Sequence, residues 1–276
     1  KTVNNGLSWN SIFEDQAGFS IGDFAIAPSN PNILYLGTGE HLKKPRNYTL
    51  PGTGMYRSND AGKTWVHIGL EDSWSIAEIA VDPTNPNIVI VSVLGHLWTK
   101  NKNRGIYRTT DGGKTWINKV RQDFINLNIS INALAYPAVD KAYFATNAGS
   151  LYRSLDKGTT MDPLYSNPNL QLQDVVAFGK DTVIVVASSS FSVAAASRTS
   201  NIIRSVNNGA SWQVIGGFPV GTTAPTMSKI FFPSNTVGYV SGNRGAVYKT
   251  INGGTTWTDI SPFPALNTTM NYTEIF

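Results

Sequence analysis

Thr109-Thr110-Asp111-Gly112-Gly113-Lys114-Thr115-Trp116 is one of six copies of a single eight-residue pattern, Ser/Thr-x-Asp/Asn-x-Gly-x-Ser/Thr-Trp. The others are Thr2–Trp9, Ser58–Trp65, Ser205–Trp212, Thr250–Trp257 and a weaker copy, Ser154–Met161, in which Met replaces Trp. The acid or amide of each copy is Asn4, Asp60, Asp111, Asp156, Asn207 and Asn252, giving steps of 56, 51, 45, 51 and 45 residues. A period in this range marks a repeat architecture.

Each copy carries a local folding instruction. Asp and Asn side chains accept hydrogen bonds from backbone N–H groups two residues on, which closes a turn. Gly supplies the positive φ that such a turn needs. The flanks are strand formers, such as Gly54-Met55-Tyr56-Arg57 before one box and Trp65-Val66-His67-Ile68 after it. Each box is therefore expected at the tip of a β-hairpin, with its Trp anchoring the tip on the sheet beneath.

Two more strand-like runs precede each box. Ile21–Ala27 and Ile33–Gly37 are joined by Pro28-Ser29-Asn30-Pro31-Asn32, and Ile76–Val81 and Ile88–Val93 by Asp82-Pro83-Thr84-Asn85-Pro86-Asn87. Both connections are turn chemistry. Later versions centre on Leu134 and Phe144, Val175 and Val183, and Ile230 and Tyr239. Four short strands per repeat predict an all-β chain of four-stranded antiparallel β-propeller blades.

The boxes are identified as Asp boxes, or BNR repeats, and the chain resembles Asp-box β-propellers over essentially its full length. VDPTNPN, GTGE and RTTDGGKTW are most similar to bacterial sortilin-like and xyloglucanase-like propellers. The resemblance implies a single domain over 1–276 with six or seven blades, in which the boxes serve the fold. It also implies an exported bacterial protein, secreted, periplasmic or on the cell surface. The opening inside a hairpin and the strand-like Asn271–Phe276 lead us to expect an excerpt of a longer chain, incomplete at both ends.

Composition narrows the function. Charged residues make up only 14% of the 276, there is no Cys, and no apolar run reaches transmembrane length. A net charge of only +4 argues against a nucleic-acid partner. His41, His67 and His96 lack metal-ligand spacing, and no phosphate loop or nucleophile elbow is present, so neither metal nor cofactor is expected.

In a propeller the loops after the second and fourth strands share one face. Two of these are long: Glu40–Gly52 and Gly95–Arg104. They carry Glu40, His41, Lys43, Lys44, Arg46, Tyr48, His96, Trp98, Lys100, Lys102 and Arg104. On adjacent blades these form a basic, aromatic-bearing patch able to bind a glycan or an acidic protein partner. The alternative is a pair of solvated loops. A third long loop, Ser188–Ser200, is almost uncharged.

Aligning the repeats puts Asp23, Glu78, Ala133, Asp174, Lys229 and Glu274 at one position on the innermost strands. Asp23, Glu78 and Asp174 are candidates for an acid/base pair near the central channel. The competing reading is that such carboxylates cap the backbone of the next blade. Arg57, Arg108, Arg153, Arg204 and Lys249 also align, and their symmetric spread prevents them converging on a sialidase substrate. The expected function is non-enzymatic binding of a polysaccharide or protein through the long-loop face, within a larger secreted or surface assembly. The alternative is a glycoside hydrolase of the xyloglucanase or endoglucanase type.

Overall fold

A computed structural model describes residues 1–40, 50–96, 102–119, 129–138, 140–190, 192–194, 197–215, 218 and 225–262. The six boxes close their turns with two side chains rather than one. In Ser58–Trp65 the Ser58 hydroxyl accepts the N–H of Gly62 at 2.8 Å and of Asp60 at 3.3 Å. Asp60 instead accepts the N–H of Thr64 at 2.9 Å and its hydroxyl at 2.6 Å. The expected bond from the acid to an N–H two residues on is thus corrected: the leading hydroxyl takes that group. The cause is two consecutive positive φ angles, 59° at Ala61 and 86° at Gly62, which curl position seven of the box back onto the acid. Asn boxes keep the geometry and reverse one bond. Asn207 accepts the Ser211 N–H at 2.9 Å, and its amide donates to the Ser211 hydroxyl at 2.8 Å.

Five four-stranded antiparallel sheets follow, each a simple up-and-down meander. Blade one comprises β1 (Ile21–Ile26), β2 (Leu34–Thr38), β3 (Met55–Ser58) and β4 (Val66–His67). Blade two comprises β5 (Ile76–Val81), β6 (Val89–Val93), β7 (Gly105–Thr109) and β8 (Ile117–Asn118). Blade three is β9 (Ile131–Ala138), β10 (Lys141–Thr146), β11 (Ser150–Ser154) and β12 (Asp162–Ser166). Blade four is β13 (Leu170–Phe178), β14 (Thr182–Ser189), β15 (Ser200–Ser205) and β16 (Gln213–Ile215). Blade five is β17 (Met227–Phe231), β18 (Gly238–Gly242), β19 (Val247–Thr250) and β20 (Thr258–Asp259). The first box closes its turn without flanking strands, and the strand expected at Asn271–Phe276 lies outside the described residues.

The chain divides into two compact units, Lys1–Asn128 with blades one and two, and Ile129–Phe276 with blades three to five. Within each unit the core lies between successive blades. β14 shows why its sequence is apolar throughout. Val183, Val185 and Ala187 enter the core shared with blade three, while Ile184 and Val186 enter the one shared with blade five. Alternating side chains thus bury both faces of one strand. In the first unit Tyr35, Met55, Ile76, Val89 and Val91 form the corresponding core. Each such buried aliphatic side chain contributes roughly 1.5–3 kcal/mol.

The boxes join blades to one another. Trp116 of blade two donates from Nε1 to the Ile68 carbonyl of blade one at 2.7 Å, and Trp65 donates to the Ile12 carbonyl at 2.6 Å. Ile12 and Ile68 each stand three residues after a box Trp, so the bond repeats with the sequence. Trp65 and Trp116 therefore clip the preceding repeat, a correction to their expected seat on the sheet beneath, whereas Trp257 donates to the Gly254 carbonyl of its own box at 3.2 Å. Box glycines pack at the same joint: a Cβ on Gly113 would stand 2.5 Å from Ile68 Cδ1. The aligned arginines reach the opposite way. Arg57, Arg153 and Arg204 donate to the carbonyls of Gly112, Asn208 and Gly253, each in the next blade's box.

Candidate functional site

The inner strand of every blade carries a register shift just before the aligned position, at Ile21/Asp23, Ile76/Glu78, Ile131/Ala133, Leu172/Asp174 and Met227/Lys229. A bulge re-aims the following side chain. Asp23 Oδ2 accordingly accepts the N–H of Ile79 in blade two at 2.5 Å. Asp174, only 7% exposed, accepts the N–H of Ile230 in blade five at 3.0 Å. Two of the three acid/base candidates therefore bind the backbone of the neighbouring blade, as the competing reading held. Glu78 is half-buried at the equivalent place in blade two.

The loop face of the first unit holds a different constellation. After β4 the chain forms a short 3₁₀ turn, Glu71–Ser73, flanked by Leu70 at φ 61° and Trp74 at φ 60°, ψ −50°. A bulky residue at positive φ costs on the order of 1–3 kcal/mol and persists only where the surroundings over-determine it. Here the Trp74 carbonyl accepts the Gly52 N–H at 2.7 Å, and the Ser73 carbonyl accepts the Gly95 N–H at 3.1 Å. Ser75 donates its hydroxyl to the Glu40 carbonyl at 3.2 Å and accepts the Leu94 N–H at 3.0 Å. Residues 73–75 thus tie together the described ends of both long loops.

This backbone presents a polar and aromatic group. The Trp74 and His96 rings lie 4.6 Å apart, tilted by 43°. His96 Nε2 is 3.1 Å from Asp72 Oδ1, and Asn103 Nδ2 donates to Asp72 Oδ2. The Asp72 side chain is 74% exposed and that of His96 40%. Among the described residues, the buried Trp74 indole N–H has no hydrogen-bond partner. An aromatic face offers stacking to the apolar side of a sugar ring, and a held carboxylate with an amide offers partners to its hydroxyls.

Of the patch residues expected from the sequence, Glu40, His96, Lys102 and Arg104 are described. His41, Lys43, Lys44, Arg46, Tyr48, Trp98 and Lys100 lie outside the described residues. Glu40 closes the neck of its loop, pairing its N–H with the Leu50 carbonyl at 3.1 Å. Lys102 is exposed. Arg104 is corrected: it is 4% exposed, and its guanidinium donates to the carbonyls of Leu94 at 2.7 Å and His96 at 3.0 Å. Burial lowers its pKa. Arg104 is the strut that holds His96 in place rather than part of an open basic patch. Asp72, Trp74 and Asn103 escaped the sequence reading. An acid and a Trp in Glu71-Asp72-Ser73-Trp74, a loop after a fourth strand, were the available signal. Among the described residues no three His, Cys, Asp or Glu side chains are grouped to hold a metal ion.

No protein-family model matches the chain. A xyloglucanase of Paenibacillus sp is 30% identical over 234 residues, covering 71% of this chain and 23% of that protein. A xyloglucanase of Acetivibrio thermocellus is 27% identical over 144 residues, covering 42% of this chain and 15% of that protein. The chain spans less than a quarter of the length of these curated relatives. Among solved structures, the GH74 xyloglucanase of Xanthomonas campestris superposes with a TM-score of 0.63 at 16% identity, over 87% of this chain and 38% of that one. The GH74 enzyme of Niastella koreensis gives 0.61 at 18% identity, with the same coverages of 87% and 38%. The fold is a β-propeller of this kind.

Proposed function

We propose that this chain is part of a glycoside hydrolase directed at xyloglucan or a closely related β-glucan. The glucan lies across the loop face that carries Asp72, Trp74, His96 and Asn103. The observation that carries the reading is the 30% identity over 234 residues to a xyloglucanase. It favours the hydrolase alternative over the non-enzymatic binder expected from the loops. The Trp74–His96–Asp72 group supports it with a ring for stacking and an exposed carboxylate for hydroxyls. A glucan polymer does not cross a membrane, so such an enzyme works outside the cell, in keeping with the exported Asp-box propeller of the sequence reading.

The catalytic carboxylates of such an enzyme flank the scissile bond, roughly 5–10 Å apart. Asp23 and Asp174 bind the backbone of neighbouring blades. Glu71 and Asp72 are both exposed carboxylates of the turn on this face, and Asp72 is the one held beside His96 and Asn103. Affinity electrophoresis in xyloglucan gels and a reducing-end assay test the reading together. The intact chain is expected to be retarded, and Asp72→Ala to lose about tenfold in affinity, the scale of one or two hydrogen bonds to a charged group. Retardation without release of reducing ends would remove the hydrolase part and keep the binding part. Migration unaffected by xyloglucan would remove both.

A further inference from the structure

The second unit holds an open cleft of about 520 Å³ on the loop side of blades three and four. That volume falls in the ~300–1,000 Å³ range of small-molecule sites. Its polar lining comes from Tyr165 at the end of β12, Asn167 and Asn169 in the following turn, Ser197 and Thr199 in the loop after β14, and Asn201 in β15. Among the described residues, no Asp, Glu, His, Lys or Arg lines it. We infer that this cleft is a binding site for an uncharged oligosaccharide, separate from the loop face of the first unit.

The walls are held before any ligand arrives. The Ser190 N–H donates to the Asn169 carbonyl at 2.7 Å, tying the loop after β14 to the turn after β12. The loop is closed at its base by the Thr199 N–H on the Ser189 hydroxyl at 2.8 Å and the Ser189 N–H on the Thr199 carbonyl at 2.9 Å. The turn is closed by the Asn169 N–H on Asn167 Oδ1 at 3.0 Å. Asn201 donates to the Thr199 hydroxyl at 2.9 Å. The Tyr165 ring is fixed edge-on against Trp212, with centroids 5.5 Å apart.

Other groups remain available. Among the described residues, the side chains of Asn169 and Ser197 and the Tyr165 hydroxyl make no hydrogen bond to protein, and Asn169 and Ser197 are exposed. An amide supplies two donors and an acceptor and a hydroxyl supplies both roles, which matches the mixed demand of sugar hydroxyls. The Arg198 guanidinium beside the cleft donates to the Val193 carbonyl at 3.2 Å and is not among the lining groups, so an anionic ligand meets only neutral partners to offset its desolvation. A small, prearranged site also limits the ordering cost of binding. The almost uncharged Ser188–Ser200 stretch thereby acquires a role that the basic loops of the first unit do not share.

The inference rests on the glycan-directed reading above, and calorimetry on the intact chain separates the two. Cellotetraose is expected to bind at two sites per chain, and a tetramer of galacturonic acid not to bind in the cleft. Ser197→Trp, which fills the cleft from an exposed position, removes one site and leaves the other. Asp72→Ala weakens the other about tenfold and leaves the cleft site unchanged. Asn169→Asp weakens the cleft site about tenfold by introducing an uncompensated charge, and provides a second reading should Ser197→Trp not fold. An unchanged stoichiometry in Ser197→Trp with an unaltered Asn169→Asp overturns the cleft while the loop face stands. Galacturonate bound in the cleft as tightly as cellotetraose overturns its specificity. No binding of cellotetraose at either site overturns both.

Discussion

Asp60 and Asn207 occupy the same box position and differ in who donates. The Thr64 hydroxyl donates to Asp60, whereas the Asn207 amide donates to the Ser211 hydroxyl. The Thr64 hydroxyl, followed by the Thr64 N–H and the Ser58 hydroxyl, holds the Asp60 carboxyl down at about 2. The equivalent groups around Thr115 hold Asp111 well below the usual carboxylate range. A depressed folded-state pKa adds stability above the unfolded value of about 3.9, and that stability is lost as pH falls toward the folded value. Melting temperature is therefore expected to drop between about pH 4 and pH 2. The double variant Asp60→Asn/Asp111→Asn should melt near the parent at pH 7 and show a shallower acid drop. An acid drop as steep as the parent's would refute the assignment. Two glycines give a second residue-scale test. Gly113 at φ 94° has Ile68 Cδ1 2.5 Å from its missing Cβ, while Gly179 at φ 61° has nothing within 4 Å. Gly113→Ala is expected to cost about 2–4 kcal/mol and Gly179→Ala about 1 kcal/mol, measured by urea unfolding.

At the level of elements, the blades are joined by a small set of repeated bonds, and their defects are informative. Trp116 Nε1 reaches the Ile68 carbonyl, but the buried Trp212 indole N–H has no partner among the described residues. The box before Trp212 is the one in which Met161 replaces Trp. Trp116→Phe should therefore destabilise the protein by about 1 kcal/mol more than Trp212→Phe. Equal losses in the two variants would show that the indole bond is not what clips the blades. The inner-strand carboxylates are read the same way. Asp23→Ala leaves the Ile79 N–H without its acceptor and is expected to cost about 1–3 kcal/mol in unfolding experiments. Asp23→Asn, which retains an acceptor, should cost much less. Strand positions were legible because alternation and turn residues repeat: Ile21–Ala27 and Ile76–Val81 were expected, and Ile21–Ile26 and Ile76–Val81 are found. The direction of the Trp and Arg side chains was not legible. It depends on which blade stands beside which, and a single repeat carries no trace of its neighbour.

For the whole molecule, charge and chemistry point to different ligands. A net charge of +4 with lysines in the long loops suggested an anionic partner. The described part of the loop face instead offers a carboxylate, an imidazole and an indole, and the second-unit cleft is uncharged. Binding of neutral β-glucan is thus expected to change less than about twofold between low and physiological salt, since screening acts only on charge–charge attraction. A steep loss of affinity with salt would return the function to the basic loops and a polyanion.

The repeat period, the strands, the box turns and the loops worth inspecting were all determined by the chain's own order of residues. Each of these depends on local alternation, turn propensity and spacing, which a linear sequence records directly. Tertiary structure alone decided the rest. It turned Arg104 inward, set Asp23 and Asp174 on neighbouring backbones, and brought Asp72 and Trp74 to His96 and Asn103. Those outcomes join residues of different strands and blades, and only packing between blades selects among the partners that local rules leave equally available.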